Sequence, residues 1–416
     1  MTGILAVSFL YNLSLFMLQT LTPLFMHDSG VSPAVLGALI AFPSVFQIFL
    51  RIPGGVAADR WGERVVLGIS ALLMALAAPM YIAGGLGWII AAQTLTGLSR
   101  AVFWPSSQSY VTKMRGAAVG RRLGIYNTFI GAGNIAGPVI AGVSIGAIGY
   151  GGAFAILGVA GSACLVAVLL MPPPAGRAAG QVRGPGQLRA GTATEATCEA
   201  DGRQSPAEPR GSSLGQLIKI RPLVMAALCQ WAAAVPMAAI GSFLPVYLRE
   251  VGMDSGRIGA LSGMRGACIV VASLFFAWGF DRLPRPLVWA TGMAAAGVGL
   301  VGVPWLVSFA PLAVCVALMG LASSSLQMLS LALVGEHTRP GERGLVMAAT
   351  GTLWGASLFV HPLLFGLIAQ RAATGPAFYV AGLPLLALAA ATAPVFRWAY
   401  RGGALTSRST AAQSPG

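Results

Sequence analysis

Apolar runs long enough to cross a lipid bilayer recur along almost the whole chain, and no other feature restricts the fold as strongly. A helix rises 1.5 Å per residue, so about 20 apolar residues span the hydrocarbon core. Twelve such runs can be drawn. In the first half they lie at about 3–26, 33–57, 65–84, 87–111, 123–147 and 152–171. In the second half they lie at about 222–248, 257–280, 287–308, 311–334, 344–370 and 376–398. Twelve crossings need about 240 residues, and the 416-residue chain has room for little besides. Only 9% of residues are charged, against about 25% in soluble domains. The first run exceeds 20 residues, lacks a basic leader and is followed by no A-x-A site, so it is expected to remain as a membrane span. The expected class is all-α and integral to the membrane.

Between the halves lies a stretch of a different kind. It opens Pro172-Pro173-Pro174 and is rich in Gly, Ala, Ser, Arg and Glu, a composition that cannot bury a core. The expected division is a bundle at 1–171, a linker at 172–221, a second bundle at 222–400 and a tail at 401–416. Within the linker, Leu214 to Lys219 could form a short interfacial helix. The bundles are related by an internal repeat. Pro23, Gly30, Gly37-Ala38-Leu39 and Asp59-Arg60 reappear as Pro245, Gly252, Gly259-Ala260-Leu261 and Asp281-Arg282, always 222 residues later. Duplicated parallel halves of six helices place a site at their interface, near the bilayer midplane.

Charge placement predicts orientation. With both termini and the linker on one side, that side holds 20 of the 26 Lys and Arg, and the opposite side holds Arg249, Arg257 and Arg371. Positive residues favour the cytoplasmic side, so the termini are expected there, in a bacterial inner membrane. The net charge of +14 then needs no nucleic acid, because anionic headgroups attract it. The five cysteines show no metal-ligand spacing. Neither a metal nor a cofactor is expected, and the chain is expected to act as a monomer.

One loop carries a specific pattern: Gly55-Val56-Ala57-Ala58-Asp59-Arg60-Trp61-Gly62-Glu63-Arg64. The glycines permit a tight turn, and Asp59 can cap a helix or pair with arginine. The run resembles the loop signature of the major facilitator superfamily, G-x-x-x-D-R-x-G-R-[KR], with Glu63 in place of a basic residue. The resemblance extends over the whole chain. It implies twelve helices in two pseudo-symmetric six-helix bundles that rock about a cavity lined by spans 1, 4, 7 and 10. It also implies that Gly55, Asp59, Arg60, Gly62 and Arg64 form a gating latch, with Asp59 facing the start of span 11. Span 5 carries Gly124, Gly133, Gly137-Pro138 and Gly142. This is similar to the antiporter motif of the drug-efflux branch, with Ala141 replacing a glycine. The same spacing also serves generic close packing of membrane helices. Span 4 departs from the branch, having Gln93 where it often has arginine.

The charges inside the membrane are few. Arg51, Arg100 and Arg265 fall within spans, and no Asp or Glu does. A mid-membrane arginine costs roughly 2.5–3.5 kcal/mol on insertion scales. Arg51 and Arg265 lie nearer to charged helix ends and are expected to snorkel, Arg265 outward. Arg100 is about 18–20 Å from either end of its helix and must face water, a polar partner or cargo. Gln93, Trp104 and Ser107 share its face, with Gln108 nearby. His361 can relay a proton or simply pack beside Pro362. Asn12, Gln19, Asn127, Gln230, Trp231, Ser323, Gln327 and Trp354 are further candidates for lining a substrate pocket.

The expected function is secondary active transport of a small molecule by alternating access. Export of an amphipathic compound is favoured, with protons as a candidate coupling ion carried by His361 or Asp59. A buried guanidinium with no buried carboxylate favours anionic, zwitterionic or neutral cargo over cations. The alternatives are an uptake symporter for organic anions and a non-transporting membrane sensor. No catalytic triad, HExxH or P-loop is present, which argues against an enzyme or an ATP-driven pump.

Overall fold

The computed structural model describes residues 1–114, 119–171, 220–279, 283–338 and 343–400. The expected linker helix, the rest of the linker to residue 219 and the tail from 401 lie outside the described residues. So do the side chains of Arg51, Asp59 and Arg343, and the surroundings of Gly55.

The described chain is helical, with no strand among the described residues. The first half holds α1 (Thr2–Asp28), α2 (Pro33–Trp61), α3 (Glu63–Ala83), α4 (Leu86–Lys113) and α5 (Val119–Leu169). The second half holds α6 (Arg221–Ile240), α7 (Phe243–Glu250), α8 (Ser255–Gly279), α9 (Arg285–Gly302), α10 (Phe309–His337), α11 (Arg343–Arg371), α12 (Thr374–Ala390) and α13 (Thr392–Tyr400). Three of these depart from simple rods. Gly149, at φ 70°, divides α5 into two segments. α6 and α7 form one broken span interrupted at Gly241 and Ser242, and α12 and α13 meet at a bend of 63°. Counted this way, the helices make twelve crossings in an all-α membrane fold.

Eight helices are long and apolar enough to cross a membrane by length and composition, and the bent pair makes a ninth. Helices α4 and α8 fall outside that set. They carry Arg100 and Arg265, so their polar content has a local cause. Large apolar side chains such as Phe49 (71% exposed) and Leu170 (79%) stand on the outer surface. In water they would form an unfavourable patch; in a bilayer they face solvent of their own kind.

Within the halves, α1 packs along α5, and α4 lies against α2 and α3; α10 packs against α6 and α9. Between the halves, α2 meets α11 and α5 meets α8. Both contacts are glycine on glycine. A Cβ built on Gly37 would collide with the carbonyl oxygen of Pro362 and lie 3.0 Å from the Cα of Gly366. One built on Gly142 would collide with the carbonyl of Ser255 and lie 2.9 Å from the Cα of Gly259. Pro33 and Gly37 stand 222 residues before Ser255 and Gly259, and Pro138 and Gly142 stand 224 before Pro362 and Gly366. The repeat therefore builds two equivalent seams.

At the same end, Arg249 on α7 donates to Asp28 on α1 at 2.8 and 3.3 Å, and Tyr150 donates to Asp28 at 2.6 Å. The halves are thus joined at the Asp28 end. At the opposite end, the described ion pairs each lie within one half. Lys113 meets Glu63 at 2.6 Å, and Arg285 meets Glu336 at 2.6 Å.

Candidate functional site

Helix α4 is the most polar of the crossings, and its side chains sort by neighbour. Toward α2, the Gln93 amide donates to the Leu39 carbonyl at 2.9 Å, and Gly97 accommodates Pro43 and Phe46. Toward α1, α3 and α5, Ser99 bonds Tyr11 at 2.9 Å and Ser70 at 3.0 Å, Phe103 stacks on Tyr11 at 3.5 Å, and Ser107 bonds Tyr126 at 2.7 Å. Arg100 and Trp104 occupy the strip between these two sets, at helical spacing from each other. Both keep part of their surface exposed, and Gln108, one turn further, is exposed. With its amide oxygen turned toward the guanidinium, Gln47 on α2 accepts from Arg100 Nε at 3.3 Å and Nη2 at 3.1 Å. Arg100 thus has a neutral hydrogen-bond partner at mid-helix.

The other expected pocket residues differ in burial and partners. Asn12 is fully buried where α1 meets Gly133 of α5, and its amide donates to the Ser8 carbonyl at 2.8 Å. Asn127 is exposed. Ser323 is buried and donates to the Met319 carbonyl at 3.0 Å. Gln230, Gln327 and Trp354 are half-buried; the Gln230 side-chain oxygen has no hydrogen-bond partner.

His361 and Trp231 are brought together, with ring centroids 5.4 Å apart. The hydroxyl of Ser357 donates to the Trp231 carbonyl at 3.0 Å, and His361 Nδ1 lies 2.8 Å from the Ser357 carbonyl and 3.0 Å from its hydroxyl. A carbonyl accepts only, so Nδ1 is the donor in this contact. The ring lines a cavity of about 250 Å³ between α6, α11 and α12. Its other walls are apolar, and Leu364 and Val380 at its rim are exposed on the outer surface. Arg100 does not line this cavity.

Arg265 differs from expectation. It does not snorkel outward: it is 2% exposed. The reason is tertiary. Gly263 and Gly266 bring the same stretch of α8 against Ile135 and Asn134 of α5, and the guanidinium turns to neighbours on α1 and α6. It lies 5.0 Å from the Phe16 ring centroid, and Nη1 approaches the Met237 sulfur at 3.2 Å. Gln19, one of the expected pocket residues, lines the same small hollow.

The loop and the span 5 pattern also resolve into contacts. Gly62 ends α2 at φ 96°, a conformation costly for residues with a Cβ. Arg60 is exposed, and Arg64 donates to the carbonyls of Val168 (3.2 Å) and Leu169. Glu63 is buried and held by Lys113 and by Ser109 at 3.1 Å. Its acidic character is thereby explained, since it anchors α4 to the loop. In α5, Gly133 and Gly137 lie against the backbone of α1, Pro138 and Gly142 belong to the α8 seam, and Gly124 faces open space. Sequence reading missed Gln47, the Tyr11–Ser99–Ser70 network and the burial of Arg265. The polar character of Gln47 inside span 2 was a usable signal; the other two depend on which helices become neighbours.

The sequence model of a family described as Major Facilitator Superfamily matches residues 4–247 and 226–414. The starts of the two matches are 222 residues apart, the offset of the internal repeat. The chain is 30% identical over 145 residues, 34% of its length, to the methylenomycin A resistance protein of Bacillus subtilis (strain 168). It is 36% identical over 86 residues, 21% of its length, to a glycerol-3-phosphate acyltransferase of Lactococcus lactis subsp. lactis (strain IL1403). The matched segments span 30% and 39% of those proteins' own lengths. Among solved structures, the nucleoside transporter NupG superimposes with a TM-score of 0.75 at 11% identity, covering 95% of this chain and 99% of that one.

Proposed function

The chain belongs to the major facilitator superfamily, a family of transporters rather than enzymes, and on that premise we propose that it exports a small amphipathic molecule by alternating access. The cargo is anionic, zwitterionic or neutral in preference to cationic. The observation that carries this reading is Arg100: a guanidinium at mid-helix, partly exposed, whose hydrogen-bond partner is the neutral amide of Gln47. A buried or half-buried cation without a carboxylate is poorly compensated, and an incoming anion compensates it. The described spans place their acidic groups at helix ends, as Asp28, Glu63, Glu250 and Glu336 illustrate. Organic cations would find no counter-charge there.

Trp104 and Gln108 continue the Arg100 strip, and we read that strip as one wall of the passage between the halves. Gln93 and Asn12 then act behind the wall, fixing α4 to α2 and shaping α1. The similarity to a resistance protein supports export, as does the span 5 pattern. The positive-inside bias makes the Asp28 end extracytoplasmic, so this structure is the state closed to the outside. A coupled proton would be carried by His361 or Asp59.

Counterflow in proteoliposomes under an imposed pH gradient tests the reading. Arg100→Ala should abolish flux of an anionic cargo while membrane insertion and thermal unfolding stay as in the parent. Arg100→Lys should retain part of the flux. Undiminished flux in Arg100→Ala would sink the assignment, and accumulation against an outward gradient would reverse the direction.

A further inference from the structure

The strongest unexplained group in the described molecule is Arg265. A guanidinium offers five N–H donors. Here Nη1 reaches a thioether sulfur, a weak acceptor, and the plane lies near an aromatic face. Its Nε has no partner at all. One turn before it on α8, the hydroxyl of Ser262 is 4% exposed and also without a partner. Both groups border one small, partly open hollow of about 10 Å³, completed by Phe16, Gln19 and Thr20 of α1 and by Gly241 at the break between α6 and α7.

The chemistry of this set is one-sided. Arg265 brings only donors, Ser262 and Thr20 bring hydroxyls that can donate, and Gln19 brings an amide that can donate. No carboxylate lines the hollow. The hydroxyls and the amide accept as well, so it is the guanidinium, the one formal charge on this lining, that favours an anion. The volume limits it to one small group, since a hollow of roughly 10–15 Å³ on this scale admits about one water. We propose that the hollow is a binding site for a compact monovalent anion, either a free halide or the carboxylate of a larger molecule. The site is distinct from the Arg100 strip.

Its position gives the anion a mechanical consequence. Phe16, Gln19 and Thr20 belong to the first half, whereas Ser262 and Arg265 belong to the second and follow Gly259 of the seam by one to two turns. The anion is held only while α1 and α8 are together. A ligand that binds one of two states shifts the population toward it, so the anion favours the arrangement closed at the Asp28 end.

The test uses the full chain purified in detergent, unfolded by heat at constant ionic strength. A bulky organic sulfonate is replaced stepwise by chloride or by acetate. A saturable rise of the midpoint is expected in the parent, because a ligand specific to the native state stabilises it. A rise with chloride identifies a free halide as sufficient; a rise with acetate alone identifies a carboxylate-bearing ligand. Arg265→Met, which replaces the charge by an apolar chain, should remove the rise, and Ser262→Ala should weaken apparent binding several-fold. Ser262→Ala alone decides the matter if Arg265→Met does not fold. A rise that Arg100→Ala abolishes and Arg265→Met retains would place the anion on the Arg100 strip and overturn the proposal. A parent midpoint indifferent to the anion, or a rise unaltered in both α8 variants, would overturn the proposal and leave the hollow to water.

Discussion

At the scale of single residues, what matters is whether a buried polar group has a partner. Glu63 shows the paired case. It is buried, while Lys113 above it is half exposed, and the pair is supplemented by Ser109. Removing Lys113 leaves a buried carboxylate with a single hydroxyl, whereas removing the charge of Glu63 leaves an ammonium that can turn to water. Lys113→Ala should therefore destabilise more than Glu63→Gln. The loss should stay below the roughly 3–5 kcal/mol seen when fully buried pairs are broken, because solvent reaches Lys113. Thermal unfolding of the two variants side by side checks the order. Residue-scale legibility was uneven for the same reason. Spacing along the chain placed Arg100 at mid-helix, and that depth depends only on helical rise. It gave the wrong fate for Arg265, because the guanidinium is taken up by the Phe16 ring and the Met237 sulfur, neighbours that spacing along the chain does not reveal. Gln93 and Asn12 looked like pocket residues because a polar side chain in an apolar run looks the same whether it meets cargo or a backbone carbonyl.

At the scale of elements, the repeated motif acts through absent side chains. Gly37 and Gly366 make one seam, and Gly142 and Gly259 its equivalent. Close approach of membrane helices depends on van der Waals contact between small residues. A methyl group at Gly259 would collide with the carbonyl oxygen of Pro138 and lie 2.9 Å from the Cα of Gly142, so the two backbones must part. A branched chain would force them further. Gly259→Val is expected to hold the Asp28 end open. The readout is thiol labelling of Ser262→Cys by an impermeant reagent added from that end: labelling should be slow in the otherwise native chain and at least several-fold faster with Gly259→Val. Equal rates would mean that the seam yields without opening. The elements themselves were largely readable, since apolar length predicted where the helices lie to within several residues. The break at Gly149 falls in the gap left between the runs 123–147 and 152–171, whereas those at Gly241 and after Ala390 were not readable. A membrane span read by hydropathy has no term for a bend inside it.

At the scale of the whole molecule, two halves related by one offset must close at one end and part at the other. Constant spacing of Pro, Gly and Asp-Arg pairs made the duplication legible, but not the state: an amino-acid sequence is the same in every conformation. A charged link across the halves in this state is Arg249 with Asp28, reinforced by Tyr150, joining α7 to α1. Both charges are partly exposed, at 36% and 23%. Exposed pairs contribute about 0.2–1 kcal/mol and weaken with salt. Since 1.4 kcal/mol is a factor of ten, Arg249→Ala should raise the ratio of open to closed molecules by no more than about fivefold. It should also abolish most of the dependence of that ratio on ionic strength. Distance distributions between spin labels on the Asp28 ends of α1 and α7, recorded at low and high salt, measure both quantities. A shift much beyond fivefold would mean that the ion pair, rather than the two glycine seams, holds this end shut. An unchanged salt dependence would place the charge-sensitive contact elsewhere on the molecule.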